Sequence, residues 1–211
     1  MKSNITELIC PKCEATGSKE IQKRICIHEH MDFKQDIMSG AFFEWECPGC
    51  SERFFIKNPF LYNDSENRFM VYYIPDFEER SHKIPSLIKT KSEYDTDSST
   101  LRIAADYVTF VEKIRILESG LDDRIVETVK LLYSKLTQQE TNNLVYSMVF
   151  EGGGVNDDLR FAVFLKDNDF EAVIPYTLYE KTRDDFSHLF TDETAEQFIV
   201  VDQQWVLDML S

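Results

Sequence analysis

The stretch AFFEWECPGCSERFFIKNP, residues 41–59, places a Cys-Pro-Gly-Cys tetrapeptide between two aromatic runs that are typical of β-strands. The same device occurs earlier as ICPKC, residues 9–13. Four of the five cysteines in the chain belong to these two CPxC motifs: Cys10, Cys13, Cys47 and Cys50. Two pairs of thiolates match the closed tetrahedral shell of a structural metal site.

The spacing within each motif has a physical basis. In a tight Cys-x-x-Cys turn both sulfurs face the same way, and backbone amides can donate toward the first sulfur. Pro11 and Pro48 suit the first corner of such a turn, because the proline ring fixes φ near the required value. The 33 residues between the motifs can hold a strand, a short helix and a returning strand that bring the two pairs together. We therefore predict a bound metal, with zinc favoured over iron in the same sulfur cage.

Two other interpretations of the cysteines are less favoured. Reactive CxxC pairs commonly owe a low thiol pKa to a helix N-terminus. Here SERFFI after Cys50 alternates like a strand, and EATGSKE after Cys13 is typical of a turn. The other alternative is two pairs of unliganded buried thiols. Catalytic zinc is disfavoured as well, because four sulfurs leave no open position for water or substrate.

The hydrophobic patterns predict an α+β fold. We expect an N-terminal zinc-ribbon-like β module over residues 1–75, a polar connection over 76–100, and an α+β region over 101–211, which is either separate or packed with the first module as one unit. Four strand-like runs precede Pro75: KEIQKRICIH (19–28), AFFEWEC (41–47), ERFFIK (52–57) and RFMVYYI (68–74). Between them DFKQDIMSG, residues 32–40, is typical of a short helix that ends at Gly40.

The clearest helical pattern is a pair at residues 107–138, predicted to form an αα-hairpin. Residues 107–118 form its first helix, Gly120 suits a left-handed position after that helix, and Asp122 can cap the second. Apolar residues of the second helix recur at helical spacing on one face: Ile125, Val129, Leu132 and Leu136.

The C-terminal part is predicted to form an antiparallel sheet with helices. The segments, in order, are a strand at 144–150, a glycine-rich break at 152–154, a strand at 159–165, a hairpin turn at 166–169, a strand at 170–174, a helix over roughly 176–190 after Pro175, a strand at 199–201, and a terminal helix capped by Asp202.

The twin CPxC motifs resemble the CpXC domain family of prokaryotic proteins. The resemblance also rests on the run FFEWECPGCSERFFIKNPFLYNDSENRFMVYYIP and on GLDDR, and it covers roughly residues 5 to 135. It implies that the four cysteines of the two motifs are the signature cysteines of the family, and it implies no reaction. One local departure is that many such turns have glycine after the second cysteine, where this chain has Glu14 and Ser51. A residue other than glycine costs free energy there if the turn needs a positive φ.

The charge balance favours some partners over others. The net charge is −15, of which residues 1–75 carry only −2, so the remaining residues are strongly acidic. Because nucleic-acid binding depends on Lys and Arg contacts to phosphates, this charge disfavours it. No apolar run reaches the eighteen or so residues of a spanning helix, and the N-terminus has no signal-peptide core. We expect a cytoplasmic protein without a membrane partner.

Weaker patterns have ordinary explanations. Cys26, His28 and His30 alternate, so on a continued strand they would share a face and could bind a second metal. A thiol that behaves as a small apolar residue beside two surface histidines is the favoured interpretation. The Asp pairs at 122–123, 157–158 and 184–185 do not converge, because neighbouring side chains diverge on a helix or strand.

A basic patch is also visible in the N-terminal part. It consists of Lys19, Lys23, Arg24, Arg53 and Lys57, and Phe54 and Phe55 are interleaved with it. Such aromatic side chains can stack on bases. Solvated strand edges with aromatic core residues explain the same pattern and are favoured.

The sequence thus predicts a zinc-binding protein without catalysis that acts as a protein-interaction or adaptor module with a protein partner. One alternative is nucleic-acid binding through the zinc ribbon. Another is an enzyme whose site lies in residues 140–211.

Overall fold

The structure, a computed structural model, describes residues 3–77, 100–190 and 197–211. In these ranges the chain forms eleven strands in four sheets and five α-helices, so the predicted α+β class is confirmed. No helix in these ranges is long and apolar enough to cross a membrane. Most of the predicted polar connection lies outside the described residues, and the division into two regions stays a prediction.

Two small antiparallel hairpins form the N-terminal part. One pairs β1 (Ser3–Ile9) with β2 (Thr16–Gln22), and the other pairs β4 (Glu44–Glu46) with β5 (Arg53–Phe55). Between the hairpins lie β3 (Arg24–Cys26) and helix α1 (Asp32–Ser39), which ends as predicted at Gly40 with φ of 89°.

The central sheet has the strand order β3-β6-β7-β8, with β6 (Phe60–Asp64), β7 (Phe69–Tyr73) and β8 (Thr100–Ala104). Strand β6 is antiparallel to β7, whereas the outer pairs are parallel. Strand β8 follows the polar connection and still pairs with β7, so chain segments on both sides of the connection share one sheet.

Two consecutive helices follow, α2 (Tyr107–Glu118) and α3 (Asp123–Thr141). Asp122 caps α3 as predicted, and Gly120 has a φ of 71°. The predicted apolar face of α3 is partly wrong, because Leu132 and Leu136 are 41% and 50% exposed. The helix extends beyond the core after its third turn, so that these two leucines face solvent.

Helix α2 packs on one face of the central sheet. The shared core is rich in aromatic and β-branched residues: Ile25, Ile27, Ile37, Phe43, Phe60, Tyr62, Phe69, Val71, Tyr73, Ala104, Phe110, Val111 and Ile114. A smaller apolar cluster covers the other face of the sheet: Leu61, Met70, Ile74, Leu101, Ile103 and Phe198. Because both faces are covered, β6 is buried along its whole length.

The C-terminal sheet is antiparallel in the order β11-β10-β9. Its strands are β9 (Val145–Gly154), β10 (Asp157–Leu165) and β11 (Asp169–Ile174), and the last two helices are α4 (Tyr176–Phe186) and α5 (Gln203–Met209). Residues of α3 and α4 pack against this sheet in the largest core. Trp205 of α5 docks internally, with its ring 5.3 Å from that of Phe190.

Two predictions for this part are wrong. The glycines at 152–154 do not break the strand, because β9 runs through them and turns at residues 155–156. The pairing with β10 is irregular there, and Gly153 has a φ of 103° that suits a bulge. The predicted strand at 199–201 is reduced to one bridge between Ile199 and Arg102.

Six buried charged residues lie where α2 and α3 meet the two larger sheets: Arg102, Glu112, Lys113, Asp123, Glu127 and Lys130. The Arg102 guanidinium donates to both oxygens of the Asp123 carboxylate, with its Nε 2.8 Å from Oδ2 and its Nη2 2.9 Å from Oδ1. Lys113 Nζ lies 3.4 Å from the same carboxylate and 2.8 Å from Glu127 Oε1.

The second half of this network reaches the C-terminal sheet. Lys130 Nζ donates to Glu112 Oε1 at 3.0 Å and also contacts Glu127. Glu112 Oε1 in turn accepts a 2.6 Å hydrogen bond from the backbone amide of Phe150 in β9. The three cations and three anions therefore connect β8, α2, α3 and β9.

Candidate metal centre

Each CPxC motif lies at the tip of one of the two hairpins. Residues 10–15 connect β1 to β2, and residues 47–52 connect β4 to β5. The first cysteine of each tip makes the same two backbone hydrogen bonds, and all four are 2.9 Å long: Glu14 N to Cys10 O, Cys10 N to Ala15 O, Ser51 N to Cys47 O, and Cys47 N to Glu52 O. The two tips are therefore local copies of one turn.

A backbone amide points at the first sulfur in each tip. The amide of Lys12 donates to Cys10 Sγ at 3.4 Å, and the amide of Gly49 donates to Cys47 Sγ at 3.3 Å. Each donor is the residue after the motif's proline, which has no N–H of its own. Such donors, which the CPxC spacing predicts for this turn, stabilise negative charge on sulfur.

The residue after the second cysteine is left-handed in both tips. Glu14 has a φ of 62° and Ser51 a φ of 57°. Glycine reaches this region without a steric penalty, whereas a residue with a Cβ does not. The departure noted in the sequence therefore places two ordinary residues in a conformation that favours glycine.

The two tips face each other and bring the four sulfurs together. Cys10 Sγ lies 3.7 Å from Cys50 Sγ, Cys13 Sγ lies 3.5 Å from Cys47 Sγ, and all four atoms are within 4.8 Å of one another. None of these cysteines forms a disulfide. Zinc–sulfur bonds of about 2.3 Å in a tetrahedron place sulfurs about 3.8 Å apart, so the cage fits a metal ion of this size.

Neighbouring thiols shift the pKa values of Cys10 and Cys13. Burial raises the pKa of Cys10, but hydrogen bonds from the amides of Lys12 and Cys13 and from neighbouring thiols lower it by more, so that this pKa falls to about 7. The amide of Ala15 lowers the pKa of Cys13, whereas the Cys47 sulfur and burial raise it, with a net rise to about 12. Four sulfurs this close repel one another when ionised, and a divalent cation at their centre removes that repulsion.

Small residues allow the tips to approach. A Cβ on Gly49 would lie 2.7 Å from the Ala15 Cβ and 3.2 Å from Cys13 Sγ in the opposite tip. A Cβ on Gly17 would lie 2.9 Å from the ring of Trp45, which covers the buried side of the cage. The sequence marked the cysteines but gave no sign of these two close contacts, because they form between segments about thirty residues apart.

The cage is closed and half-buried. Cys10 and Cys47 are 0% and 1% exposed, whereas Cys13 faces solvent. Lys12 and Glu52 form an ion pair across the two tips. A tetrahedral ion held by four sulfurs has no vacant position, so the arrangement suits holding the tips together rather than activating water.

The alternation of Cys26, His28 and His30 does not continue along a strand. The strand does not continue past Cys26, because a 3-10 turn, Ile27–Glu29, follows it, and His30 does not join the cluster. Instead, the turn groups Cys26 with His28 and Glu29. Glu29 could not be predicted as a member of this group, since on a strand its side chain would point away from those of Cys26 and His28.

The predicted basic patch is engaged within the fold. Lys19 donates to the carbonyl of Glu44, and Arg53 lies 3.7 Å from the Glu44 carboxylate. Arg53 also contacts Glu46 at 3.3 Å, and Lys57 lies 3.9 Å from Asp76. Acidic side chains therefore lie beside Arg53 and Lys57, and Lys19 contacts a backbone carbonyl.

The aspartate pairs do not form a convergent carboxylate site. Asp122 caps α3 and pairs with Arg124, whereas Asp123 is fully buried in the ion network. Asp158 accepts from the backbone amide of Tyr176, and Asp184 pairs with Arg183 on the surface.

Comparison with known proteins identifies the family of this chain. No curated protein and no solved structure matches this chain. A family model described as CpXC protein matches residues 8–130, a range that contains all four cysteines of the cage, both hairpin tips and the central sheet. Since this match spans more than half of the sequence, the chain belongs to the CpXC protein family.

Proposed function

We propose that this chain is a cytoplasmic zinc-binding protein that acts as a protein-interaction or adaptor module and catalyses no reaction. In this proposal the two hairpins form a zinc-ribbon-like module, and α2 and α3 form an αα-hairpin that supports it. Cys10, Cys13, Cys47 and Cys50 are the ligands of one Zn²⁺, with iron as the less favoured metal.

The observation that carries the proposal is the pair of matching hairpin tips with sulfurs 3.5 and 3.7 Å apart. Structural zinc sites contribute apparent binding free energies of about 10–16 kcal/mol, which act as folding free energy. The local apolar cluster is small, with Cys10, Trp45 and Cys47 as its buried members. A metal would therefore supply much of the stability that this cluster lacks.

A cavity beside the module supports an interaction role. It has a volume of about 300 Å³ and lies between β2 and α1. Phe33, Phe42 and Phe60 contribute to its apolar lining, and Asp36 is a charged lining residue. Gln22 also lines this cavity, and its Oε1 is buried without a hydrogen-bond partner among the described residues. A partner side chain that is apolar and carries a hydrogen-bond donor would suit this lining.

The test is purification of the tagged full-length protein, with metal content and co-purified protein measured on the same samples. After brief dialysis against a chelator we expect one zinc ion per chain and a stoichiometric partner. Cys47→Ser should lose the zinc ion, and Asp36→Lys should keep it while reducing partner recovery. Zinc-free wild-type protein that stays folded, or a chain always recovered without a partner, would contradict the proposal.

A further inference from the structure

A second group of metal-binding side chains lies at one edge of the central sheet. Strand β3 ends at Cys26, which is in register with Asn63 of the neighbouring strand β6. The 3-10 turn that follows, Ile27–Glu29, places the His28 and Glu29 side chains near the Cys26 sulfur. Ser65, in the turn after β6, contacts His28.

The distances describe a compact group. Cys26 Sγ lies 3.3 Å from His28 Nδ1, and the ligand atoms of Cys26, His28 and Glu29 all lie within 4.8 Å of one another. A tetrahedral ion with a metal–sulfur bond of about 2.3 Å and a metal–nitrogen bond of about 2.0 Å separates these two atoms by about 3.5 Å. The observed separation therefore needs only a small adjustment to accept an ion.

Two neighbouring polar groups contact these ligand atoms. Asn63 Nδ2 donates to Cys26 Sγ at 3.5 Å, which stabilises a thiolate. An outer partner of this kind fixes the orientation of a ligand in a metal site. Ser65 Oγ lies 2.8 Å from His28 Nδ1, the nitrogen that faces the Cys26 sulfur, so this hydrogen bond breaks when an ion binds there.

The donor set selects the class of metal. One thiolate, one imidazole and one carboxylate suit a divalent ion of intermediate softness, such as Zn²⁺ or Co²⁺, better than Mg²⁺ or Ca²⁺. Cys26 is half-buried, whereas His28 and Glu29 are exposed, so an ion can enter from solvent. Three protein ligands leave one position open, in contrast to the closed four-sulfur cage.

We propose that Cys26, His28 and Glu29 form a second metal site that binds a divalent transition-metal ion with one coordination position open to solvent. The site is independent of the four-sulfur cage and of the function proposed for that cage. It would exchange its ion more readily, because it has fewer sulfur ligands and greater exposure.

The same residues do not favour a nucleophilic thiol. Burial raises the pKa of Cys26, which keeps the thiol protonated near neutral pH. A reactive cysteine requires the opposite shift. Metal binding does not require a lowered thiol pKa, since a metal ion displaces the thiol proton directly.

The test is a Co²⁺ titration of the full-length protein purified with its resident metal, followed by absorbance. We expect about one additional Co²⁺ per chain and a sulfur-to-cobalt charge-transfer band. Cys26→Ser should abolish this band, and His28→Ala should weaken Co²⁺ binding by at least about tenfold, the loss caused by removing even an outer partner.

His30→Ala is the matched control, because His30 is two residues further along the chain and lies outside the group. It should leave the titration unchanged. A band that persists in Cys26→Ser would show cobalt entering the four-sulfur cage and would overturn the proposal. Equal losses in His28→Ala and His30→Ala, or no thiolate band at all, would also overturn it. Loss of zinc in Cys47→Ser tests the other site separately.

Discussion

Glu14 and Ser51 show how much the two tips depend on single residues. Both adopt a left-handed backbone after the second cysteine of their motif. The amide of each residue donates to the carbonyl of the first cysteine of its tip, so the hairpin turn imposes this conformation. Left-handed backbone costs an L-residue about 1–2 kcal/mol, and part of that cost can be removed.

Ser51→Gly should therefore stabilise the zinc-loaded protein. Relief of the left-handed strain exceeds the added flexibility of glycine in the unfolded chain, which costs about 0.4–1 kcal/mol. We expect the free energy of unfolding to rise by about 0.5–1 kcal/mol in chemical denaturation at a fixed free zinc concentration.

Ser18→Gly is the matched control, since Ser18 is an exposed serine in strand β2. It should lower the free energy of unfolding by about 0.5–1 kcal/mol, because a strand has no left-handed strain to relieve. A fall in the free energy of unfolding for both substitutions would show that the strain at residue 51 is not significant.

At the scale of the element, the metal centre depends on how closely two hairpins approach. The amide of Gly49 donates to the Cys47 sulfur of its own tip, while its Cα faces Ala15 in the other. Lys12 occupies the equivalent position of the first tip and carries a side chain there. The two tips thus have the same backbone but meet asymmetrically.

Gly49→Ala should weaken metal binding. The new methyl group would lie 2.7 Å from the Ala15 Cβ, so the tips must separate. Overpacking of this kind costs about 1–3 kcal/mol, which corresponds to a loss of roughly fivefold or more in zinc affinity measured by competition with a chromophoric chelator.

Gly152→Ala provides the comparison for this substitution. Its Cβ would meet the end of the flexible Arg160 side chain at 3.1 Å, far along the chain from the cysteines. Zinc affinity should not change. Equal affinities for Gly49→Ala and the wild type would mean that the tips tolerate the added methyl group.

Elements with strong local signals could be predicted from the sequence. The helix at 107–118 was predicted with its observed bounds, because its apolar periodicity and the following Gly120 act within one segment. The cap at Asp122 was predicted for the same reason. The four cysteines were identified because their spacing is that of a known ligand set, and the structure brings their sulfurs together.

Elements that depend on distant contacts were missed. Strand β6 has the sequence FLYND, which shows no alternation and ends in two polar residues. It is buried because apolar clusters cover both faces of the central sheet, and that condition is set by residues far away in the sequence. The turn after Cys26 was mistaken for strand because β-branched composition alone cannot show where pairing ends.

At the scale of the whole molecule, the buried ion network connects the family-matched part of the chain to the C-terminal sheet. Residues 8–130 contain all six charged side chains, and the amide of Phe150 lies beyond that range. The network could not be predicted from the sequence, because five of its six charges lie beside apolar residues on helices that were expected to be solvated on one face. Buried charges require partners, so the network fixes how the elements are arranged.

Asp123→Asn should destabilise the protein strongly. The substitution leaves Arg102 and Lys113 buried with reduced compensation, and removal of one partner from a buried ion pair costs about 3–5 kcal/mol. Urea denaturation measures the change. Asp122→Asn is the neighbouring control and should cost less than about 1 kcal/mol, because asparagine caps a helix as well as aspartate does.

The stability difference between the wild type and Asp123→Asn depends on pH if the lost interaction is an ion pair, and does not if the substitution only disturbs packing. Burial raises the pKa of Asp123, but the charges of Arg102 and Lys113 lower it by more, from 3.8 to about 2. A carboxyl group with a lowered pKa in the folded state contributes its full stabilisation above its unfolded-state pKa and loses it as pH falls through the folded-state value. The stability gap between wild type and Asp123→Asn should therefore be constant above about pH 5 and should narrow by about 2 kcal/mol as pH falls from 4 toward 2. Acid release of the metal affects both proteins alike, so it cancels in the difference. A gap that stays constant down to pH 2 would mean that asparagine disturbs packing and that the charge of Asp123 does not contribute to stability.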